Sequence, residues 1–87
     1  MPKILKEFVV KNAQGLHARP AAMFVQIASK YNSHVTIIKD HEKVNGKSIM
    51  GILTLGAAKD SIIAVEADGE DAEQVLIEIE QFMNRVE

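Results

Sequence analysis

The chain has 87 residues, of which 47% are hydrophobic and 25% charged; this is the composition of an ordinary globular protein and argues against disorder. It contains no cysteine, which excludes a disulfide scaffold, a cysteine-ligated zinc site and a thiol nucleophile. The formal net charge is −2, and the lysines are scattered without an arginine stripe or interleaved aromatic residues, so we do not expect nucleic-acid binding.

The length and the first segment indicate a single soluble domain covering residues 1–87. Residues 4–10 are apolar and rich in Phe and Val, which favours a strand. Lys3, Lys6 and Glu7 interrupt the apolar run. We therefore expect neither a signal peptide nor membrane insertion, and we expect a cytoplasmic location.

A turn and a helix are predicted after this strand. Residues 12–15 are turn-forming, and residues 17–31 show the spacing of a helix, with Pro20 in its first turn, where a missing N–H costs nothing. The apolar residues that recur at this spacing are Ala18, Ala21, Ala22, Val25 and Ala28.

The middle of the chain is predicted to hold three strands and a short helix. His34–Lys39 is rich in β-branched residues and favours a strand, and a turn at 40–43 leads into a short return strand at 42–44. A helix is predicted to begin near Ser48, because serine is a preferred N-cap. A further strand is predicted at 61–67. The short helix would place three apolar residues on one side: Ile49, Met50 and Leu53.

The last segment has the clearest helical pattern, and its acidic residues gather at its N-terminal end, where the helix dipole favours them. The apolar face consists of Ala72, Val75, Leu76, Ile79, Phe82, Met83 and Val86. Residues 1–65 carry a charge of +5 and residues 66–87 a charge of −7, which indicates either orientation by an acidic partner or a solvated acidic helix. The order β-α-β-β-α-β-α predicts a two-layer α+β domain.

The candidate site is a histidine between a glycine and the first turn of a helix. Backbone N–H groups that are free at a helix start attract anions, and Arg19 adds a cationic fork suited to phosphate oxygens. The imidazole of His17 is a nucleophile near pH 7. These features predict a phosphoryl-accepting site with His17 as nucleophile, Arg19 as phosphate stabiliser, and the backbone of Ala18 and Arg19 as anion donors. A cap or surface histidine without further function is the alternative.

Two stretches of this sequence resemble a known family. Residues 15–21, Gly-Leu-His-Ala-Arg-Pro-Ala, resemble the active-site signature of the histidine-containing phosphocarrier (HPr) family of the phosphoenolpyruvate-dependent sugar phosphotransferase system. Residues 44–51, Val-Asn-Gly-Lys-Ser-Ile-Met-Gly, resemble the signature around the regulatory serine of that family. The resemblance covers essentially the whole chain in length and element order.

The resemblance implies a fold, a set of partners and roles for three residues. The implied fold is an open-faced sandwich, a four-stranded antiparallel sheet covered on one side by three helices. His17 matches the histidine that phosphorylated enzyme I modifies at Nδ1, and Arg19 matches the arginine that steadies the phosphoryl group. EIIA-type permease components are the implied acceptors. Ser48 matches the serine that an ATP-dependent HPr kinase/phosphorylase modifies in many bacteria.

Further expectations concern docking, metals and assembly. A partner-docking surface is expected at Leu16, Ile49, Met50 and Leu53. Gly46 stands where the family often has alanine, and we expect a looser turn there. His34 and His41 match no family site and lack metal-ligand spacing, so we expect surface strand residues and no metal. No cofactor is expected, and the chain is expected to be a monomer that acts as a stoichiometric transfer intermediate and not as an enzyme.

Two alternatives remain open at this point. A regulatory or nitrogen-type branch of the phosphotransferase system would use His17 in the same way without feeding sugar uptake. A non-catalytic binding module of similar α+β architecture would use His17 only as a helix cap.

Overall fold

Four strands form one antiparallel sheet in the computed structural model, which describes residues 2–85. The strands are β1 (Lys3–Val9), β2 (His34–Lys39), β3 (Glu42–Asn45) and β4 (Ile62–Asp68). Their order across the sheet is β1-β4-β2-β3, so the last strand, β4, lies between β1 and β2. Every neighbouring pair is antiparallel.

Three helices complete the order β-α-β-β-α-β-α: α1 (Ala18–Ser29), α2 (Ile49–Leu55) and α3 (Ala72–Arg85). The predicted element order and the four-stranded sheet with three helices are confirmed. Element ends differ from the predictions by one or two residues; α1, for example, ends at Ser29 and not at residue 31. None of the helices among residues 2–85 is long and apolar enough to cross a membrane.

The sheet has one buried face and one open face, because side chains alternate along each strand. On β2 and β4 every second residue is buried, and the residues between them are half-buried or exposed. α3 packs against β1 and β4, and α2 packs against β3, so the helices cover the buried face. The expected open-faced sandwich is confirmed. The buried residues of β2 and β4 are Val35, Ile37, Ile63, Val65 and Ala67.

The predicted apolar face of α3 is confirmed for Ala72, Val75, Leu76, Ile79, Phe82 and Met83, all of which are buried. Val86, the last residue predicted on this face, lies outside the described residues. On α1 the buried face is rotated relative to the prediction: Ala18 is exposed, and Phe24 is fully buried. Residues 21–25 are all apolar, so spacing alone does not select the side that faces the core.

The turn before α2 is tighter than expected. Gly46 is buried, and its N–H donates to the Val35 carbonyl oxygen at 2.7 Å. A Cβ atom at this position would lie 2.6 Å from Val35 Cγ1 and 3.2 Å from Phe24 Cε1. The expectation of a looser turn is wrong, because the absence of a side chain lets the backbone pack directly on β2 and α1.

The loop between α1 and β2 is bound to the start of α3 by one carboxylate. Asp71 accepts hydrogen bonds from the amides of Asn32 at 2.8 Å and Ser33 at 2.9 Å, and also from the Ser33 hydroxyl. These donors, the Ser33 hydroxyl first, hold the pKa of the Asp71 carboxyl below its usual range. About two turns after Asp71, Glu78 accepts a hydrogen bond from the Tyr31 hydroxyl at 2.6 Å and forms a salt bridge with Lys30.

We expect Asp71→Asn to destabilise the protein at pH 7 and to have progressively less effect in acid. A carboxyl whose folded pKa is lowered stabilises the fold above its unfolded pKa of about 3.9 and loses that contribution as the pH falls through the folded value. Urea unfolding of both proteins from pH 7 to pH 2 measures the difference. Asp40→Asn is the control, since Asp40 is exposed and, within residues 2–85, its side chain pairs only with the neighbouring Lys39, at 3.4 Å. A gap that is constant with pH would contradict the expectation.

Candidate functional site

His17 is the residue that caps the N-terminus of α1, and its backbone is extended, with φ −83° and ψ −167°. Its N–H donates to the Gly15 carbonyl oxygen at 2.9 Å, and its own carbonyl oxygen accepts the first helical bond, from Ala21 N–H at 3.0 Å. The side chain makes no capping hydrogen bond. The backbone of His17 is therefore held on both sides, while the imidazole is not committed to the helix.

The first turn of α1 contains two backbone amides that have no partner within the helix. The amides of Ala18 and Arg19 precede the first helical bond, so no carbonyl within the helix is available to them. Pro20 has no N–H, and no acidic side chain lies in this turn. Arg19 is exposed beside these amides. His17 is therefore followed in the chain by two amides without helical partners and by one exposed guanidinium, at the positive end of the helix dipole; that these groups bind an anion stays a prediction.

One ring nitrogen of His17 faces inward. His17 as a whole is half-buried, but Nδ1 is buried and has no hydrogen-bond partner among residues 2–85. The side chain is therefore not sealed in the core, although this nitrogen is covered in the orientation seen here.

The turn that precedes His17 packs on the segment between α2 and β4. Leu16 N–H donates to the Ala57 carbonyl oxygen at 2.9 Å. Gly15 has φ +72°, and a Cβ atom there would overlap the same oxygen and lie 3.0 Å from Ala58 Cα. The Leu16 side chain is only 4% exposed and belongs to the core. The expectation that Leu16 docks partners is wrong, because this side chain offers almost no surface.

Ser48 is the N-cap of α2, as predicted, and its hydroxyl oxygen accepts from Gly51 N–H at 3.0 Å. The next two residues are exposed, Ile49 by 41% and Met50 by 70%. Leu53 is half-buried and packs against the core, so it contributes less surface than expected. Met23 on the adjacent α1 is 43% exposed, and sequence reasoning missed it, because the assignment of α1 faces was rotated.

The two remaining histidines are exposed. His34 begins β2 as predicted, but His41 lies in the turn between β2 and β3 and not in a strand. Among residues 2–85, no group of three or more histidine, cysteine, aspartate or glutamate side chains could hold a metal ion.

Sequence reasoning also missed Asn12, a fully buried polar residue in the turn before His17. Its side-chain Nδ2 donates to the Gly15 carbonyl oxygen, while its Oδ1 has no partner among residues 2–85. An asparagine in a turn-forming stretch is usually exposed, so the sequence carried no signal for this burial.

Comparison with known proteins identifies the family of this site. The family model described as the phosphorylation site of the PTS HPr component matches residues 4–85. A phosphocarrier protein HPr from Neisseria meningitidis is 40% identical over 82 residues, which cover 93% of this chain and 92% of that protein.

Solved structures agree with this match. A crystal structure of HPr from Thermoanaerobacter tengcongensis is 42% identical, with a TM-score of 0.88 over 97% of this chain and 92% of that one. A second structure from the same organism, described as an HPr dimer, is 44% identical, with a TM-score of 0.75 over 88% of each chain. The expectation that this chain is a monomer stays a prediction.

We expect Gly15→Ala to lower the free energy of unfolding by about 3 kcal/mol. The loss has two causes: alanine is strained in the left-handed backbone conformation, and its Cβ atom would overlap the Ala57 oxygen. Gly56→Ala is the matched control, because Gly56 also has a positive φ of 60° but no atom lies within 4 Å of a Cβ built there. The control should lose only about 1 kcal/mol. Urea unfolding measures both, and equal losses would show that contact with Ala57 is not the constraint.

Proposed function

The chain belongs to the HPr family of the phosphotransferase system, and on that premise we propose that His17 accepts a phosphoryl group from phosphorylated enzyme I and passes it to an EIIA-type acceptor. The observation that carries this proposal is an uncommitted imidazole at the N-cap of α1, next to two amides without helical partners. A histidine that served only as a cap would be expected to use its side chain in a capping hydrogen bond, which His17 does not.

The transfer needs no metal on this chain. The lone pair of one imidazole nitrogen attacks phosphorus, a nitrogen–phosphorus bond forms, and the bond from phosphorus to the donor group on enzyme I breaks with its electron pair. We assign the attack to Nδ1, and the unpartnered state of this nitrogen supports the assignment once the ring has turned outward. Passing the group to the acceptor repeats the exchange with His17 as the leaving group.

The neighbouring groups stabilise the transferred anion. The amides of Ala18 and Arg19 and the Arg19 guanidinium supply hydrogen-bond donors and positive charge where phosphoryl oxygens would lie beside His17. Transfer from enzyme I modifies His17, and transfer to the acceptor restores it. The chain therefore acts as a carrier that is consumed and restored stoichiometrically in each cycle. Because phosphoenolpyruvate-dependent transfer takes place in the cytoplasm, we assign the chain to that compartment.

We assign partner docking to the exposed side chains of Ile49 and Met50 on α2 and of Met23 on α1, together with the half-buried Leu53. α1 packs against α2, so the helix that begins at His17 and the helix that begins after Ser48 are neighbours. An apolar surface beside the acceptor imidazole would let donor and acceptor proteins bind in turn at one place.

We propose Ser48 as a regulatory phosphorylation site for an HPr kinase/phosphorylase. A phosphate group here would add a charge of about −1.5 to −2 directly beside the exposed side chains of Ile49 and Met50. The start of a helix tolerates negative charge, so the fold would be retained while apolar docking to an acidic partner is weakened.

Incubation with enzyme I and labelled phosphoenolpyruvate tests the carrier role. We expect one acid-labile, base-stable phosphoryl group per chain, and we expect His17→Ala to abolish it, because the nucleophile is then absent. His34→Ala is the matched control, since His34 is an exposed histidine at the start of β2, and it should be labelled normally. Label that persists in His17→Ala would move the role to another residue, and an unlabelled wild-type chain would favour a binding module.

We expect Ser48→Asp to slow phosphoryl arrival from enzyme I about tenfold, which corresponds to about 1.4 kcal/mol of activation free energy. The melting temperature should change little, because aspartate is as good an N-cap as serine. Ser48→Asn is the control, since it caps the helix without charge and should be phosphorylated at His17 at the wild-type rate. A Ser48→Asn variant as slow as Ser48→Asp would assign the effect to shape and not to charge.

A further inference from the structure

Asn12 is one of two buried polar side chains among residues 2–85, and the transfer step described above does not use it. It is 0% exposed. Its Nδ2 donates to the Gly15 carbonyl oxygen, and its own carbonyl oxygen accepts from Gly15 N–H at 3.0 Å. Asn12 therefore binds Gly15 through both the backbone N–H and the backbone carbonyl oxygen of the glycine.

The same carbonyl oxygen connects Asn12 to His17. His17 N–H donates to the Gly15 oxygen at 2.9 Å, so this oxygen receives one hydrogen bond from the Asn12 side chain and another from the His17 backbone. A carbonyl oxygen has two lone pairs, and both are used here. Because Leu16 between them is anchored to Ala57, the direction of the Gly15 carbonyl determines where the backbone of His17 lies.

Stability alone does not account for an asparagine at this position. Its Oδ1 is buried and has no partner within residues 2–85, and a buried acceptor that forms no hydrogen bond destabilises the folded state. Ser33, the other buried polar residue, differs in that its hydroxyl and its amide both donate to Asp71. The other buried side-chain atom without a partner among residues 2–85 is His17 Nδ1, so both lie within the same six-residue segment.

We propose that Asn12 is a positioning residue for phosphoryl transfer: it holds the Gly15 carbonyl so that His17 presents its imidazole beside the free amides of α1. This role rests on the proposed function of His17. Asn12 touches neither donor nor phosphorus, and it acts through Gly15. A displacement of the nucleophile by about 1 Å is enough to slow a transfer reaction markedly.

The test compares Asn12→Leu and Asn12→Asp with the wild-type chain as substrates for enzyme I and phosphoenolpyruvate. Both variants keep the approximate size of the side chain and remove the Nδ2 donor. We expect kcat for phosphoryl arrival to fall about tenfold or more, with KM for the chain little changed because the α2 surface is untouched. We also expect the ¹⁵N resonances of the His17 ring to shift. Asn12→Leu removes the unpartnered oxygen, so its melting temperature should stay within about 5 °C of the wild type.

Ser33→Ala is the matched control for loss of a buried polar group. It removes a hydrogen bond to Asp71 at the opposite end of α1, so we expect a lower melting temperature with an unchanged kcat and unchanged His17 resonances. If Asn12→Leu does not fold, Asn12→Ala provides the same comparison, because it removes the Nδ2 donor without burying a charge or a longer apolar side chain.

The outcomes separate this proposal from the one it depends on. A labelled wild-type chain together with wild-type kcat in the folded Asn12 variants overturns the role of Asn12 and leaves the function of His17 intact. Asn12 variants that show a higher KM and a lower melting temperature but an unchanged kcat would make the role of Asn12 merely structural. This result would also overturn the proposal. An unlabelled wild-type chain overturns both proposals.

Discussion

One backbone hydrogen bond, from Leu16 N–H to the Ala57 carbonyl oxygen, joins the turn that carries His17 to the segment between α2 and β4. It forms because Gly15 has no side chain to separate the two segments. Two further bonds, between the backbone of Val10 and residues 60–61, extend the same contact toward β1. Together with the packing of α1 on α2, this junction places the imidazole and the amides of α1 relative to the exposed side chains of α2.

The carboxylates that bind the loop after α1 to α3 and the residues of the proposed site lie at opposite ends of α1. Asp71 and Glu78 bind the loop that follows this helix, while His17 begins it, about 18 Å away along its 12 residues. Several carboxylates of the acidic C-terminal segment are thereby engaged within the chain, since Glu78 and Glu80 also pair with Lys30 and Lys6. The charge asymmetry between the two segments is thus partly balanced inside the molecule, which neither sequence interpretation foresaw.

Sequence patterns predicted the structure correctly where apolar and polar residues are clearly separated or where a residue type marks the start of a helix. Apart from the exposed Ile77, α3 has polar residues around a single apolar stripe, so its six described face residues were predicted correctly. Serine before an apolar run predicted the cap of α2. The pattern failed on α1, where apolar residues occur on nearly every side and Phe24, a central core residue, was overlooked. The same limit explains Leu16, since an apolar residue beside a site is equally compatible with docking and with burial.

By itself, the sequence determined the element order, the two-layer arrangement and the position of His17 at the start of α1, because these follow from local periodicity and from the residue types at 15–20. The tertiary structure decided which way each ambiguous side chain points, and it buried Asn12, Leu16 and Gly46. The physical reason is that burial and close backbone approach are set by segments distant in the chain, here 57–58 against Gly15 and β2 against Gly46. A one-dimensional pattern records only neighbours in sequence, so contacts of this kind leave no periodic signal in it.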